Sequence, residues 1–366
     1  MFGEIFKDKK VIITGHTGFK GSWLTSWLIL CGAKIIGISK DIPTNPSAFK
    51  VLRLENKIKH YICDLRDLEK LKRIINIEKP DFIFHLAAQA IVSISKENPI
   101  DTISSNAFGT LNLLETLRKY KKKCSVVLIT SDKSYYNSEW VWGYRETDVL
   151  GGDDIYSGSK AATEMIIKSY LKTYFGENHP VKIGIGRAGN VIGGGDWAKD
   201  RIVADCFRSW SNQEKVVIRS PYSTRPWQHV LEPLSGYLLL AKELHKLNLK
   251  VISEAFNFGP KSEQNKTVLD LIKDLSSFIE DPAKSKNFII RENNKLNESK
   301  LLKLNCDKAL FNLSWEPNLD YSETVRFVGE WYVQYFKDPS KISDLTLSQI
   351  DKYCLLAINR KRKWIK

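Results

Sequence analysis

The feature that most constrains this chain is a short β-branched run that leads into a glycine-rich turn and then into a helix-length apolar stretch. Lys10–Thr14 predicts a buried strand, Gly15, Gly18 and Gly21 follow at steps of three, and residues 23–30 predict a helix. Glycine is needed here because the backbone must turn tightly, approach a ligand closely and let the helix pack on the strand. Unpaired N–H groups at a helix start favour an anion. The turn therefore predicts a cradle for the pyrophosphate of a dinucleotide, with a purely structural turn as the alternative.

The alternation of strand and helix recurs along the first half of the chain. Further strands are predicted at 33–39, 59–63, 81–87, 125–130 and 182–186, and helices at 68–77, 110–120 and 156–174. Apolar strands separated by helices predict an α/β fold, a Rossmann doubly wound parallel sheet with helices on both faces. A smaller C-terminal substrate-binding domain is expected to follow it.

The regular alternation fades near Arg187, where loops rich in Gly, Pro, Arg and Trp occupy residues 189–229. We therefore expect a dinucleotide-binding domain at 1–186 and a mainly substrate-binding domain at 187–366. A segment near 225–260 is expected to return to the first domain, because Ala255–Phe258 has a strand pattern. Helices are predicted at 266–279 and 321–336, and the segment from 337 to 366 has no assignment.

Composition limits the partners and the compartment. The chain has 366 residues and a formal net charge of +14, but its lysines are scattered and its two basic runs, at 119–123 and 360–363, are short. Such runs are typical of solvated faces, so no nucleic-acid partner is expected. The six cysteines lack metal-ligand spacing, which predicts free thiols in a reducing compartment and no metal. A charged N-terminus and the lack of any run of about 18 apolar residues predict a cytoplasmic protein with no membrane partner.

Acidic residues beyond the cradle are candidates for the adenosine end of a dinucleotide. Asp41 lies about 20 positions on, where a carboxylate binds the ribose, although its neighbours at 39–40, a serine and a lysine, leave NAD and NADP both open. Asp64 and Leu65, after the third strand, are candidates to bracket the adenine. Asp64 equally suits the N-cap of a helix beginning near Arg66.

Two segments predicted to meet at the carboxyl edge of the sheet carry candidate catalytic groups. Tyr156 and Lys160 lie one helical turn apart, so the ammonium can favour the phenolate of a tyrosine that acts as a base. Ser131, Asp132 and Lys133 end the preceding strand, where a doubly wound sheet has its ligand crevice. Ser131 can bridge the phenol and a substrate hydroxyl, while the other two add an acid and a base beyond what hydride transfer needs. A strand-terminating turn and an exposed amphipathic pair are the structural alternatives.

These residues, the HLAAQ segment at 85–89, Asn106 and the RAGNV segment at 187–191 together resemble the extended short-chain dehydrogenase/reductase family that acts on nucleotide sugars. Longer segments, at 14–23, 130–133, 139–146, 188–200 and 225–237, resemble its 4,6-dehydratases of CDP-linked sugars. The Asp132-Lys133 pair favours the CDP sugar, because dTDP-glucose relatives carry Asp-Glu there.

The resemblance implies an internal redox cycle on CDP-glucose with bound NAD. Tyr156 takes the proton of the 4-hydroxyl while the C4 hydride passes to NAD. The resulting 4-ketone makes the C5 hydrogen acidic, so water is lost across C5 and C6. The hydride then returns to C6. The product is CDP-4-keto-6-deoxyglucose, so the enzyme is a lyase expected in deoxysugar and lipopolysaccharide precursor biosynthesis. Whether Asp132 or Lys133 is the C5 base stays open.

The resemblance also implies two sets of binding residues and an oligomer. The cofactor set is Gly15, Thr17, Gly18, Phe19, Gly21, Asp41, Asp64, Leu65, Leu86, Ala87, Ala88, Gln89, Asn106, Thr130, Tyr156, Lys160 and Arg187. The substrate set is Asn190, Asp196, Trp197, Arg201, Arg225 and His229. Trp197 and Trp227 could each stack on the cytosine or fill the core, and the core is favoured for Trp227. A homo-oligomer, a dimer or a tetramer, is expected to pair through the helices at 106–120 and 157–174.

Other functions remain open at this point. Another nucleotide-sugar dehydratase is one alternative. A 4-epimerase would use Tyr156 and Lys160 but has no use for Asp132 and Lys133. A non-catalytic dinucleotide sensor explains the cradle and the charge but leaves the active-site residues idle.

Overall fold

A seven-stranded parallel sheet organises the chain. The structure is a computed structural model and describes residues 1–261, 263–264, 266–279, 288–290 and 301–365. The strands of the sheet are β1 (Lys10–Thr14), β2 (Lys34–Ser39), β3 (Lys59–Ile62), β4 (Phe82–His85), β5 (Cys124–Ile129), β6 (Val181–Ala188) and β7 (Ala255–Phe258). Their spatial order is β7-β6-β5-β4-β1-β2-β3, and every neighbouring pair is parallel. This confirms the predicted Rossmann doubly wound sheet, and the order reverses between β1 and β4, where such sheets bind ligands.

Helices cover both faces of the sheet. Those in the described part of the chain are Phe19–Leu30, Ala48–Val51, Leu68–Glu78, Val92–Glu97, Pro99–Ile103, Gly109–Arg118, Ile155–Tyr174, Ile202–Ser211, Leu231–His245, Val268–Ser276, Asp307–Leu313, Tyr321–Lys337 and Ile342–Asn359. Three pairs of short strands lie outside the sheet: Val191–Ile192 with Gln228–His229, Thr224–Arg225 with Lys266–Thr267, and Val216–Ile218 with Phe288–Ile290. Within these described residues no helix is long and apolar enough to cross a membrane.

The two-residue period of the strands divides the core in two. In β1, Val11 and Ile13 join a cluster with Trp23 and Trp27, whereas Ile12 joins a second cluster on the opposite face. Because both faces of the sheet are buried, its central strands must be apolar at nearly every position. That requirement explains why the sequence pattern located these strands.

Seven helices of the described residues fall where the sequence pattern assigned none, and they are Ala48–Val51, Val92–Glu97, Pro99–Ile103, Ile202–Ser211, Leu231–His245, Asp307–Leu313 and Ile342–Asn359. The segment 189–229, where loops were predicted, also contains the helix Ile202–Ser211. It is one short helix among segments rich in glycine, arginine and tryptophan, and these dominate the local pattern. The unassigned C-terminal segment contains the helix Ile342–Asn359. Part of the helix predicted at 266–279 is instead the short strand Lys266–Thr267, and the division into two domains stays a prediction.

Glu232 ties the C-terminal helices to the core. Its buried carboxylate accepts the backbone N–H groups of Asn318 (2.9 Å) and Leu319 (2.6 Å) and the hydroxyl of Tyr353 (2.9 Å). Buried donors of this kind need a partner, because leaving one unpaired costs about 1–3 kcal/mol. The C-terminal segment is therefore part of the folded unit that carries β6 and β7.

Candidate active site

The predicted cradle is built by close approaches of backbone to backbone. Gly15 has φ +74°, and a Cβ there would lie 2.7 Å from the backbone nitrogen of Ala87. A Cβ at Gly21 would lie 2.2 Å from the carbonyl oxygen of Gly15. Both distances are shorter than any ordinary contact, so these two positions require glycine.

The cradle fits an anionic ligand. Gly18 is the N-cap of the helix Phe19–Leu30 and has no side chain with which to cap it. The first-turn N–H groups are therefore left for a ligand, which is the arrangement that binds a dinucleotide pyrophosphate. Thr17 donates from Oγ1 to the backbone oxygen of Asp41 (2.7 Å), which joins the cradle to the end of β2. The Asp41 side chain itself is exposed.

Two histidines, His16 and His60, form a pair beside the cradle. The sequence analysis assigned this pair no role. His16 Nε2 lies 2.7 Å from His60 Nδ1, and His16 Nδ1 lies 2.9 Å from Ser39 Oγ. Burial, followed by the charge of His60, lowers the pKa of His16 to about 4, so His16 is neutral near pH 7. Gly37 leaves room for the ring, since a Cβ there would lie 2.4 Å from it.

Asp64 does not cap the helix that follows it. That helix is Leu68–Glu78, and its N-cap is Asp67, which accepts the backbone N–H of Lys70. The capping interpretation of Asp64 is therefore wrong. Its carboxylate instead accepts the backbone N–H and the guanidinium of Arg66, which lowers its pKa, and its contact with an adenine stays a prediction.

Asn106 links the chain after β4 to the helix Ile155–Tyr174. Its side-chain Oδ1 accepts the backbone N–H of Gln89 (2.8 Å), and its Nδ2 donates to Gln89 O (3.1 Å) and to Ser159 Oγ (2.8 Å). Asn106 lies in the π-helical turn Ser104–Phe108, a distortion that is frequent at functional sites. The other predicted residues after β4 are Leu86, Ala87 and Ala88, and Leu65 packs nearby against Gly109.

The predicted catalytic residues meet at the carboxyl edge of β5. Ser131 is the N-cap of the 3₁₀ turn Asp132–Ser134, and its Oγ accepts the Lys133 N–H and donates to Asp132 Oδ1 (2.9 Å). Its side chain also hydrogen-bonds to Tyr156 at the start of the helix Ile155–Tyr174. Ser131, Asp132 and Tyr156 are all buried. The structure therefore brings this predicted set together.

Burial shifts both members of the Tyr–Lys pair toward neutrality. The Lys160 nitrogen lies 5.9 Å from the centre of the Tyr156 ring. Burial raises the pKa of Tyr156, while the hydrogen bond to Ser131 and the charge of Arg201 act against it. Burial, helped by the charge of Lys20, lowers the pKa of Lys160 to about 8.

Two carboxylates and two cations share the crevice beside this pair. Burial raises the pKa of Asp132 and of Asp196. Arg201 lies 3.7 Å from Asp196 and keeps a partly exposed guanidinium. Lys20, from the cradle helix, interacts with Arg201 and both carboxylates, and burial lowers its pKa to about 8. Burial favours the protonated form of Asp132, which is the form that a proton donor needs.

Two predicted binding residues, His229 and Trp197, lie in other surroundings. His229 is fully buried, packs edge-on against Trp23 and Phe327, and has a pKa lowered by burial to about 3. Trp197 packs on Tyr335 within an aromatic cluster. These contacts are typical of the core, so the predicted substrate contacts of His229 and Trp197 stay predictions.

The remaining predicted residues are Arg187, Trp227, Asn190 and Arg225. Arg187 forms a buried ion pair with Glu164 (2.8 Å). Trp227 is buried, as expected, and donates from Nε1 to the Lys266 carbonyl. Asn190 follows β6, and Arg225 lies in the short strand Thr224–Arg225.

This sheet order, with a glycine cradle after β1 and a Ser–Tyr–Lys set after β5, defines an extended short-chain dehydrogenase/reductase. The model of the GDP-mannose 4,6 dehydratase family matches residues 12–328, and the chain belongs to that family.

Individual relatives agree with this assignment. The chain is 45% identical over 338 residues to CDP-glucose 4,6-dehydratase of Salmonella typhimurium, which covers 91% of this chain and 93% of the relative. Its fold resembles dTDP-glucose 4,6-dehydratase of Bacillus anthracis in complex with NAD (TM-score 0.74, 21% identity, 92% of this chain and 99% of that one). It also resembles UDP-glucose 4-epimerase of Thermotoga maritima with UDP-glucose (TM-score 0.74, 26% identity, 89% and 99%).

Replacing Gly21 with alanine should weaken dinucleotide binding. The added Cβ pushes the cradle helix away from Gly15, so we expect NAD+ affinity to fall by at least about tenfold, or about 1.4 kcal/mol. Gly176→Ala is the matched control, because nothing lies within 4 Å of its Cβ position. Calorimetric titration of both variants measures the difference, and equal affinities would contradict the role assigned to the cradle.

Proposed function

We propose that this chain is a CDP-glucose 4,6-dehydratase that uses bound NAD+ to convert CDP-glucose to CDP-4-keto-6-deoxyglucose and water. The observation that carries the proposal is the turn Asp132–Ser134, which presents an acid–base pair directly after Ser131 and beside the Tyr156 helix. The Salmonella typhimurium relative, a CDP-glucose 4,6-dehydratase, supports the choice of nucleotide. The NAD of the Bacillus anthracis dehydratase supports the choice of cofactor.

The cradle at Gly15, Gly18 and Gly21 would hold the cofactor, which when bound supplies the hydride acceptor for C4 and later the hydride donor for C6. Tyr156 is the proposed base that takes the proton of the 4-hydroxyl. Its hydrogen bond to Ser131 and a protonated Lys160 favour the phenolate that this step needs. Since the pKa of Lys160 is lowered to about 8, we expect its support to be lost as the pH rises through that value.

The second half of the reaction needs a base at C5 and an acid at the 6-hydroxyl. Because burial raises the pKa of Asp132, we assign the acid to Asp132 and the base to Lys133. Lys133 takes the C5 proton, the C5–C6 double bond forms, and the 6-hydroxyl leaves with the proton of Asp132 as water. After hydride addition at C6, a proton returns to C5.

Cations beside this acid–base pair are the proposed contacts to the diphosphate. The planar guanidinium forks of Arg201 and Arg225 suit two phosphate oxygens. Lys20 adds a third cation on the cradle side of the crevice. Asn190, which follows β6, is the proposed neutral partner of the same groups.

We further propose a homo-oligomer that works in the cytoplasm. The free thiols of all six cysteines support a reducing compartment. Ile100, Phe108 and Met165, on and beside the helices expected to pair, are exposed hydrophobic side chains and support the oligomer. A sedimentation experiment on the full chain measures its state.

Incubation with a panel of sugar nucleotides tests the proposed activity. With NAD+ bound, CDP-glucose should give a product lighter by one water, without net reduction of NAD+. The dTDP-, GDP- and UDP-glucose arms should turn over at least about tenfold more slowly by kcat/KM. Mass spectrometry measures all four products. Isomerisation without loss of water would instead identify a 4-epimerase, and faster turnover of another nucleotide would overturn the CDP assignment.

Lys133→Met separates elimination from simple hydride transfer. Removing the proposed C5 base should lower kcat by about 10²–10⁴-fold, the usual contribution of general base catalysis. KM for CDP-glucose should stay within about threefold, because Lys133 is proposed to act on C5 and not to bind the diphosphate. Lys123→Met, at an exposed lysine, is the control. Full activity of Lys133→Met would rule out the assignment of Lys133 as the base.

A further inference from the structure

A buried ion pair lies directly behind the proposed catalytic residues. Arg187 donates from Nε to Glu164 Oε1 (2.8 Å) and from Nη2 to Oε2 (2.9 Å), so the pair is bidentate. Thr130 donates from Oγ1 to the same carboxylate (2.5 Å). The side chains of Glu164 and Arg187 are 2% and 5% exposed, so water screens this interaction little.

The third donor of Arg187 extends the network to the far side of the catalytic turn. Its Nη1 donates to the hydroxyl of Tyr135 (2.7 Å), and that hydroxyl donates to Asn257 Oδ1 in β7 (2.8 Å). The guanidinium also lies 4.9 Å from the centre of the Tyr135 ring. All three guanidinium nitrogens, Nε, Nη1 and Nη2, thus donate to groups inside the protein, and Nη1 also donates to the backbone oxygen of Glu146.

The positions of these residues along the chain bracket the catalytic set. Thr130 immediately precedes Ser131, and Tyr135 immediately follows the turn Asp132–Ser134. Glu164 lies one helical turn after Lys160, on the same face of the helix Ile155–Tyr174. One ion pair therefore holds both ends of the catalytic turn against the helix that carries Tyr156 and Lys160.

We infer that Glu164 and Arg187 are positioning residues that fix the catalytic turn against the Tyr156 helix and keep Lys160 protonated. This inference rests on the proposed function, and it assigns Arg187 a task different from the cofactor contact expected from its sequence. Neither residue is proposed to touch the substrate. Both act through Ser131, Tyr156 and Lys160.

The charge effect follows from the groups that face Lys160. On its own helix these are Tyr156 and Glu164, from the cradle helix Lys20, and from β4 His85. Glu164 raises the pKa of Lys160, whereas burial and Lys20 lower it. His85 is buried with a pKa lowered to about 3, so it carries no charge near neutral pH. Glu164 is therefore the carboxylate that opposes the loss of the Lys160 proton.

Glu164→Gln tests this effect without substrate. The variant loses the carboxylate charge and leaves Arg187 cationic, so we expect the pKa of Lys160 to fall by about one unit. ¹³C NMR of ε-labelled lysines measures that titration in the free enzyme, and Lys160→Met identifies the resonance. Because the readout needs no turnover, a failed dehydratase assay and a failed network are distinguishable.

The pH profile supplies the matching catalytic readout. The enzyme is active when Lys160 is protonated. A lower pKa of Lys160 therefore moves the basic limb of the kcat–pH profile to lower pH by the same amount. KM for CDP-glucose should stay within about twofold. Glu164→Gln with Arg187→Met removes both charges and should move the limb back toward the wild-type position. An unchanged titration of Lys160 in folded Glu164→Gln protein would overturn the charge role.

Arg187→Lys keeps the cation but removes the fork, and it covers the case in which Glu164→Gln does not fold. We expect the Lys160 titration to stay in place and kcat to fall at least about tenfold with KM unchanged, because Tyr135 and the turn lose their anchor. Wild-type kcat in this variant would overturn the positioning role. Thermal unfolding of each variant confirms that the comparison is made on folded protein.

Discussion

The parallel direction of β4, β5 and β6 is the constraint on which the rest of the structure depends. Because these strands run side by side in the same direction, the chain segments that follow them emerge at one edge of the sheet. Ser131 and Asp132 follow β5, Ala87 follows β4, and Asn190 follows β6. The helix that begins at Ile155 then needs only to pack on this edge for Tyr156 to meet Ser131. The proton-transfer residues meet as a consequence of that topology.

Burial is the second determinant, since it shifts acids and bases toward neutral forms. The pKa of Asp132 is raised and those of Lys20 and Lys160 are lowered by the same cause, removal from water. A proton can then move between groups at neutral pH with a smaller difference in free energy than in water. The overall charge of +14 has no part in this account, because the shifts arise from local desolvation and from neighbours inside the crevice.

The sequence predicts well those elements whose residue pattern has a single physical cause. The strands are apolar because both of their faces are buried, and Gly15 and Gly21 are required by backbone contacts, so both patterns are visible without a structure. The Ser131, Tyr156 and Lys160 set was also predictable, because a four-residue spacing and a strand end are local features.

What sequence did not predict depends on long-range packing. Glu164 and Arg187 are 23 positions apart and meet only because the helix Ile155–Tyr174 crosses behind β6. His16 and His60 meet across β2, at Gly37. Asp64 binds Arg66, whereas Asp67 caps the next helix.

The most direct test of the central claim is the fate of deuterium placed at C4 of CDP-glucose. The account predicts deuterium in the C6 methyl group of the product and none in the solvent. A methyl group without deuterium would contradict it.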